Sequence, residues 1–211
     1  MHVIHSDSTD PFANAALEEE IFRRRPFDDE ATLLFYSNPP SVHCGRNQEP
    51  AAECALSWCS RQGIPVLKRF SGGGTVYHDL GNLNYAFIVP RRLYSPGTIL
   101  AMVAAALKDA GAPEPTVCER FSIWSCGAKI SGSAFAISGP AAMVHGCIPF
   151  SCGLEELRLA LRPEAPPPPG RYVNSVPAPV RNISELAGRP AEQCRTIFQE
   201  SLLRRAIPWS Y

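Results

Sequence analysis

The sequence predicts an α+β fold: a mixed, mostly antiparallel sheet flanked by helices. Strand-like runs in the middle of the chain are joined by turns too short for the crossovers that parallel pairing needs. Helical patterns precede, interrupt and follow those runs. A chain of 211 residues, 45% hydrophobic and 19% charged, can bury one sizeable core and has neither a disordered nor a membrane-spanning composition. One domain over residues 1–211 is expected.

The elements follow in order. Asp10-Pro11 opens a helix through Ala13 to Arg23, with Leu17 and Ile21 four apart and Pro26 beyond its end. "ATLLFYS" (31–37) and "SVHCG" (41–45) read as strands split by Asn38-Pro39-Pro40. A helix from about Pro50 to Arg61, a short strand "IPVLKRF", a glycine run and a strand "LNYAFIV" come next. Pro96-Gly97 precedes an alanine-rich helix, Thr98 to Ala110, which Gly111 ends. Residues 121–138 read as strand, turn, strand about Cys126-Gly127. "AAMVHGCIPF" gives a further strand, and "GLEELRLAL" a short helix stopped by Pro163. Residues 163–179 carry seven prolines and cannot join a sheet interior, so they are expected to run extended over the surface as a loop or lid. A last helix, about Pro190 to Arg205, sets Cys194, Ile197, Phe198 and Leu202 on one face to pack back on the same core.

Lys plus Arg and Asp plus Glu both number 20, so no global field steers the chain to nucleic acid or an anionic membrane. The N-terminal stretch lacks the apolar run of a secretory signal, and a cytoplasmic location is expected. Eight cysteines occur without a C-x-x-C pair or zinc-site spacing, and are expected to be buried thiols in a reducing compartment. No metal ligands are assigned.

Four constellations carry candidate chemistry. Lys68-Arg69 precedes Ser71-Gly72-Gly73-Gly74, where glycines admit close backbone approach and cations complement an anion; a glycine bulge is the plain alternative. No Gly-Lys-Ser/Thr follows and the next stretch is β-like, so this is not a P-loop. In "GAKISGSAF", Lys129 lies between a turn and a strand, placed to clamp charge developing on an acyl or phosphoryl group, or simply exposed on the sheet. His43-Cys44-Gly45-Arg46-Asn47-Gln48 and His145-Gly146-Cys147 put polar clusters at the ends of apolar strands.

Together these stretches resemble one family. The string Arg69-x-Ser71-Gly72-Gly73-Gly74-Thr75-Val76-Tyr77-His78-Asp79-x-Gly81-Asn82-x-Asn84-Tyr85 resembles the signature of lipoate-protein ligase A proteins. "DPFANAALEEEIF", "FYSNPPSVHCGRNQEPAAE", "GAKISGSAF", "VHGC" and "SVPAPVRNISEL" are similar to its other motifs in the same order, over residues 10–187. The resemblance implies a catalytic domain like those of biotin ligases and class II aminoacyl-tRNA synthetases. It implies that Arg69, Ser71, Gly72, Gly73 and Gly74 hold lipoyl and phosphate groups, and that Tyr77, His78 and Asp79 shape the pocket beside Asn84. Gly132, Ser133, His145 and Gly146 belong to its motifs, and Lys129 is the implied catalytic cation, on the lipoyl carbonyl and the α-phosphate. The implied reaction activates lipoate with ATP, taken as its Mg2+ complex, to lipoyl-AMP. A lysine of an acceptor lipoyl domain, in a 2-oxoacid dehydrogenase acyltransferase subunit or the glycine-cleavage H protein, then takes the acyl group. No nucleic acid or membrane partner is implied, and Arg91 and Arg92 are candidates for docking the acceptor.

The chain departs from the family's Arg-Asn-Asp at Arg120-Phe121-Ser122, from His-His-Gly-Thr at Val144-His145-Gly146-Cys147, and from a usual lysine at Asn174. These changes are expected on the nucleotide side. The accessory C-terminal domain of many lipoate ligases has no counterpart before Tyr211, so a separate accessory protein, a self-sufficient enzyme or a transfer-only enzyme is expected. Two alternatives stand beside ligation. One is octanoyl or lipoyl transfer through a thioester on Cys147 or Cys152, activated by His145; the other is a lipoyl-binding protein without adenylation. Biotin ligation fits poorly, because the loop is not of the Gly-Arg-Gly-Arg type.

Overall fold

The computed structural model describes residues 1–24, 30–166 and 168–209. The elements are β1 (His2–His5), α1 (Pro11–Arg24), β2 (Thr32–Tyr36), β3 (Ser41–Cys44), α2 (Pro50–Glu53), α3 (Leu56–Arg61), β4 (Val66–Lys68), β5 (Val76–His78) and β6 (Asn82–Pro90). A short 3-10 turn (Arg91–Leu93) leads to α4 (Pro96–Asp109), β7 (Thr116–Val117), β8 (Ile123–Ser125), β9 (Ala128–Ser138), β10 (Ala141–Pro149), α5 (Leu154–Ala160), α6 (Ile183–Ala187) and α7 (Ala191–Trp209).

Seven strands form the main sheet in the order β1-β2-β6-β10-β9-β8-β7, and three form a smaller one in the order β4-β3-β5. The fold is α+β and the pairing mostly antiparallel, as expected; β1 with β2 and β3 with β4 are parallel. Helix α1 supplies one crossover and α2 with α3 the other, the long connections that parallel pairs require. The sequence reading had neither β1 nor a second sheet.

Strand β6 is apolar on both faces because both are covered. Tyr85, Phe87 and Val89 pack in the core under α4 and α7, while Ala86 and Ile88 pack with Phe22, Leu34 and Met143 on the α1 side. Cys194, Phe198 and Leu202 of α7 are fully buried, the face expected. Burying each large side chain contributes about 2 kcal/mol, and together they hold α7 on the sheet.

Local chemistry sets several boundaries. The Asp10 carboxylate accepts from the Phe12 amide (2.8 Å), with Pro11 in the first helical position of α1. Gly111 takes φ +104° just beyond α4, and Cys126 and Gly127, at φ +49° and +73°, make the tight β8–β9 turn. The helix expected over 50–61 is two short ones. Cys54 is extended (φ −143°), and the Ala55 amide donates to the Ala160 carbonyl (2.9 Å), so a tertiary bond overrides the helical pattern. Pro26 and Pro167 lie outside the described residues. Among those described, no helix is long and apolar enough to cross a membrane.

Candidate active site

The α1-side face of the main sheet builds the floor of a cavity of about 920 Å³. Cross-strand register makes two rows there: Asn84 opposes Cys147, which opposes Gly132; Ala86 opposes His145, which opposes Ala134. The small residues in those rows leave the space. A Cβ at Gly146 would lie 2.7 Å from the Tyr85 hydroxyl, so only glycine fits there.

The glycine run forms one wall. Gly73 takes φ +89°, which L-residues rarely adopt, and an added Cβ would meet the Ala134 Cβ at 2.8 Å. Arg69 clasps this loop. Its guanidinium donates to the carbonyls of Gly72 (2.8 Å), Gly74 (2.6 Å) and His43 (2.7 Å), and its Nε to Ser71 Oγ (3.1 Å). The arginine that the sequence offers as an anion ligand is largely committed to shaping the loop.

A chain of buried polar groups runs beneath. Arg69 only donates, so Ser71 Oγ accepts from it, and Ser71 Oγ shares a further hydrogen bond with His145 Nε2 (2.8 Å). His145 Nδ1 in turn bonds Glu18 (2.9 Å), which also accepts from the Tyr36 hydroxyl (3.0 Å). Burial pushes the Glu18 carboxyl up, but His145, Tyr36 and Arg69 outweigh it and hold the group below its ordinary value. Burial, with Glu18 beside it, raises the Tyr36 phenol well above its own.

Lys129 stands at a junction. Ile123 opposes Ser131 while Trp124 opposes Lys129, so β9 carries one extra residue, a bulge that re-aims the side chain. The Lys129 amide donates to the Pro179 carbonyl (2.8 Å) and its carbonyl accepts from the Arg181 amide (3.4 Å). The side chain lies over Gly132, lines the large cavity, and also lines a second of about 400 Å³. Among the described residues its ammonium has no carboxylate in ion-pair contact.

Residues 174–178 of the proline-rich stretch line both cavities, so the expected lid is a strap across the site. Ser175 hooks it down: its Oγ accepts from Gln48 Nε2 (2.9 Å) and from the Thr75 amide (2.8 Å), and its amide donates to Glu53 (3.0 Å).

The structure brings Arg69, Gly73, Gly74, His78, Asn84, Lys129, Gly132, Ser133, His145 and Gly146 to the large cavity, and Tyr77 to the small one. Ser71, which is buried, and Gly72 line neither cavity, and the Ser133 hydroxyl turns away to the Phe121 carbonyl (2.8 Å). Asp79 lines neither cavity: its carboxylate accepts from the amides of Gly81 (2.9 Å) and Gly153 (2.7 Å), holding a turn and the start of α5. His43 stacks on His78 with ring centroids 4.3 Å apart. Burial lowers both histidines, His43 to about 3, so both are neutral. Of the positions that depart from the family's motifs, Ser122, Cys147 and Asn174 border the large cavity, as does the neighbouring Arg120. Phe121 sits at φ +58°, a conformation that favours asparagine or glycine.

Two expectations about nucleophiles change. Cys152 is buried in the small core with Cys44, Cys54 and Cys59, and burial pushes its thiol up to about 12. His145 has both ring nitrogens engaged and makes no bond to Cys147, whose thiol burial raises against the pull of Lys129 and Arg69. Arg91 and Arg92, offered for docking, line neither cavity. Glu18, Tyr36 and Ser175 were missed. Glu18 follows Asn14 by four and precedes Phe22 by four, a buried stripe that a search for apolar periodicity skips.

Comparison with known proteins agrees with this geometry. The family model described as Lipoyl protein ligase A/B catalytic domain matches residues 10–202. Lipoate–protein ligase 1 of Staphylococcus aureus is 32% identical over 90% of this chain and 58% of its own length. The human mitochondrial lipoyl amidotransferase LIPT1 is 33% identical over 87% of this chain and 50% of its own. The chain thus spans about half the length of these relatives. Two solved structures share the fold. A bi-partite lipoate protein ligase of Thermoplasma acidophilum, studied with its E2 lipoyl domain, has TM-score 0.80, 21% identity, and coverage of 97% of this chain and 82% of that one. A lipoate-protein ligase A bound with ATP has TM-score 0.78, 21% identity, and coverage of 97% and 84%. With the glycine loop, Lys129 and the strap meeting in one place within the matched span, the chain belongs to the lipoyl protein ligase A/B catalytic-domain family.

Proposed function

We propose that the chain attaches lipoyl groups to a lysine of an acceptor lipoyl domain, activating lipoate with ATP to lipoyl-AMP before transfer. One observation carries this reading: the Lys129 ammonium, without a carboxylate partner among the described residues, borders both cavities. A cation there suits an acyl phosphate anhydride, with the apolar tail in the large cavity and the nucleotide in the small one. The ATP-bound and lipoyl-domain-paired relatives support the same substrates and partner class.

The carboxylates around the cavities do not fit a protein-held Mg2+. Glu18 is taken by His145 and Tyr36, Glu19 by Arg23 (2.6 Å), and Glu53 by the Ser175 amide. Magnesium therefore enters as part of the ATP complex. A cytoplasmic location stays part of the proposal.

A second reading rests on Cys147, which borders both cavities beside Lys129. There the thiolate would take the acyl group from a donor and pass it on as a thioester, in keeping with the human amidotransferase relative. Mass analysis of an acceptor domain incubated with lipoate and ATP tests ligation, and Cys147→Ser separates the readings. Ligation survives that change and thioester transfer does not.

A further inference from the structure

Of the 20 basic residues only three are lysines: Lys68, Lys108 and Lys129. The other 17 are arginines, whose guanidinium stays protonated and is no acyl acceptor. Two of the three lysines border the same cavity. Lys129 is half-buried between the two cavities, whereas Lys68, the last residue of β4, is exposed at the edge of the larger one. Lys68 adjoins Arg69 and the glycine loop, the wall against which the activated acyl group would lie. It has no ion-pair partner among the described residues. Lys108, exposed in the last turn of α4, borders neither cavity.

We infer that Lys68 is a self-acylation site, which captures the activated acyl group when no acceptor domain is docked. The inference rests on the reading of the cavity as an acyl-adenylate site. The neutral Lys68 Nζ attacks the acyl carbonyl carbon and a C–N bond forms. The bond between that carbon and the phosphate oxygen breaks, AMP leaves with its electron pair, and the nitrogen loses a proton to water. The product is an amide that tethers an apolar chain at the cavity. It blocks further turnover, and this ties the activity to the supply of acceptor.

The test supplies pre-formed lipoyl-AMP, which bypasses activation, to the full chain without acceptor and reads each lysine by peptide mass spectrometry. A parallel sample contains an acceptor lipoyl domain. A bound acyl group has an effective concentration near the millimolar range, so with micromolar adenylate Lys68 should be labelled about a thousandfold faster than Lys108. Lys68→Arg should remove that label, with circular dichroism confirming its fold, and Lys108→Arg should leave it. Equal labelling of Lys68 and Lys108, or labelling confined to Lys129, overturns the inference as solution chemistry or a different site. Acylation of the acceptor in the parallel sample with Lys68 unlabelled also overturns it and leaves the proposed function standing. No acylation of either chain overturns both.

Discussion

Nδ1 of His145 lies 2.9 Å from the Glu18 carboxylate, joining β10 to α1 across the floor of the cavity. Removing one partner leaves the other buried with its bonds unmet, so Glu18→Ala should cost about 3–5 kcal/mol of stability. Urea denaturation checks this. A loss under about 1 kcal/mol would show that the pair does not hold the floor together.

The same carboxylate fixes an acid limit. Its folded pKa is below the ordinary 4.5, so its contribution is present above that value and is lost as pH falls through the folded one. His43 and His78 act over a higher window. Each is held neutral in the fold, so the unfolded chain binds more protons below about 6.5, and stability falls as pH drops from there towards the folded value, about 3 for His43. The slope should approach about 1.4 kcal/mol per pH unit for each histidine. His43→Gln should flatten it by one proton in denaturation profiles between neutrality and pH 5.

Arg69 holds the glycine loop by two carbonyls at once, a geometry that a lysine ammonium does not reproduce. Arg69→Lys should lower kcat/KM at least tenfold, about 1.4 kcal/mol of transition-state stabilisation, and should also lower the melting temperature, because carbonyls of His43, Gly72 and Gly74 lose a donor. Gly73→Ala should do similar harm through its positive φ and the contact with Ala134, with a folding cost of about 1–3 kcal/mol.

Ser175 anchors the strap through its Oγ, so Ser175→Ala leaves the Gln48 amide and the Thr75 N–H without that acceptor. Each lost bond costs about 1–3 kcal/mol, enough to detach the strap locally. KM for lipoate or ATP should rise more than tenfold with a smaller change in kcat, measured by steady-state kinetics.

Much of this arrangement was legible beforehand because it depends on local chemistry. Gly111 stops α4, Cys126-Gly127 turns the chain, and the apolar face of α7 packs where its spacing puts it. The glycine loop and Lys129 were likewise readable as a pair of motifs. What was hidden depends on distant chain segments. Asp79 is drawn to Gly153, the helix over 50–61 is broken by a bond to Ala160, and Glu18 is charged yet buried because His145 arrives from β10. Arg69 looked like an anion ligand because its carbonyl partners leave no trace in residue type.

Lipoate-dependent exchange of labelled pyrophosphate into ATP, by the purified chain and by its Lys129→Ala variant, is the most direct test. Activation at Lys129 predicts exchange by the unaltered chain and a loss of at least about a hundredfold in the variant, the scale of one missing electrostatic contact in a catalytic site. Exchange undiminished in Lys129→Ala would contradict the role given to Lys129, and no exchange by the unaltered chain would contradict its self-sufficient activation of lipoate.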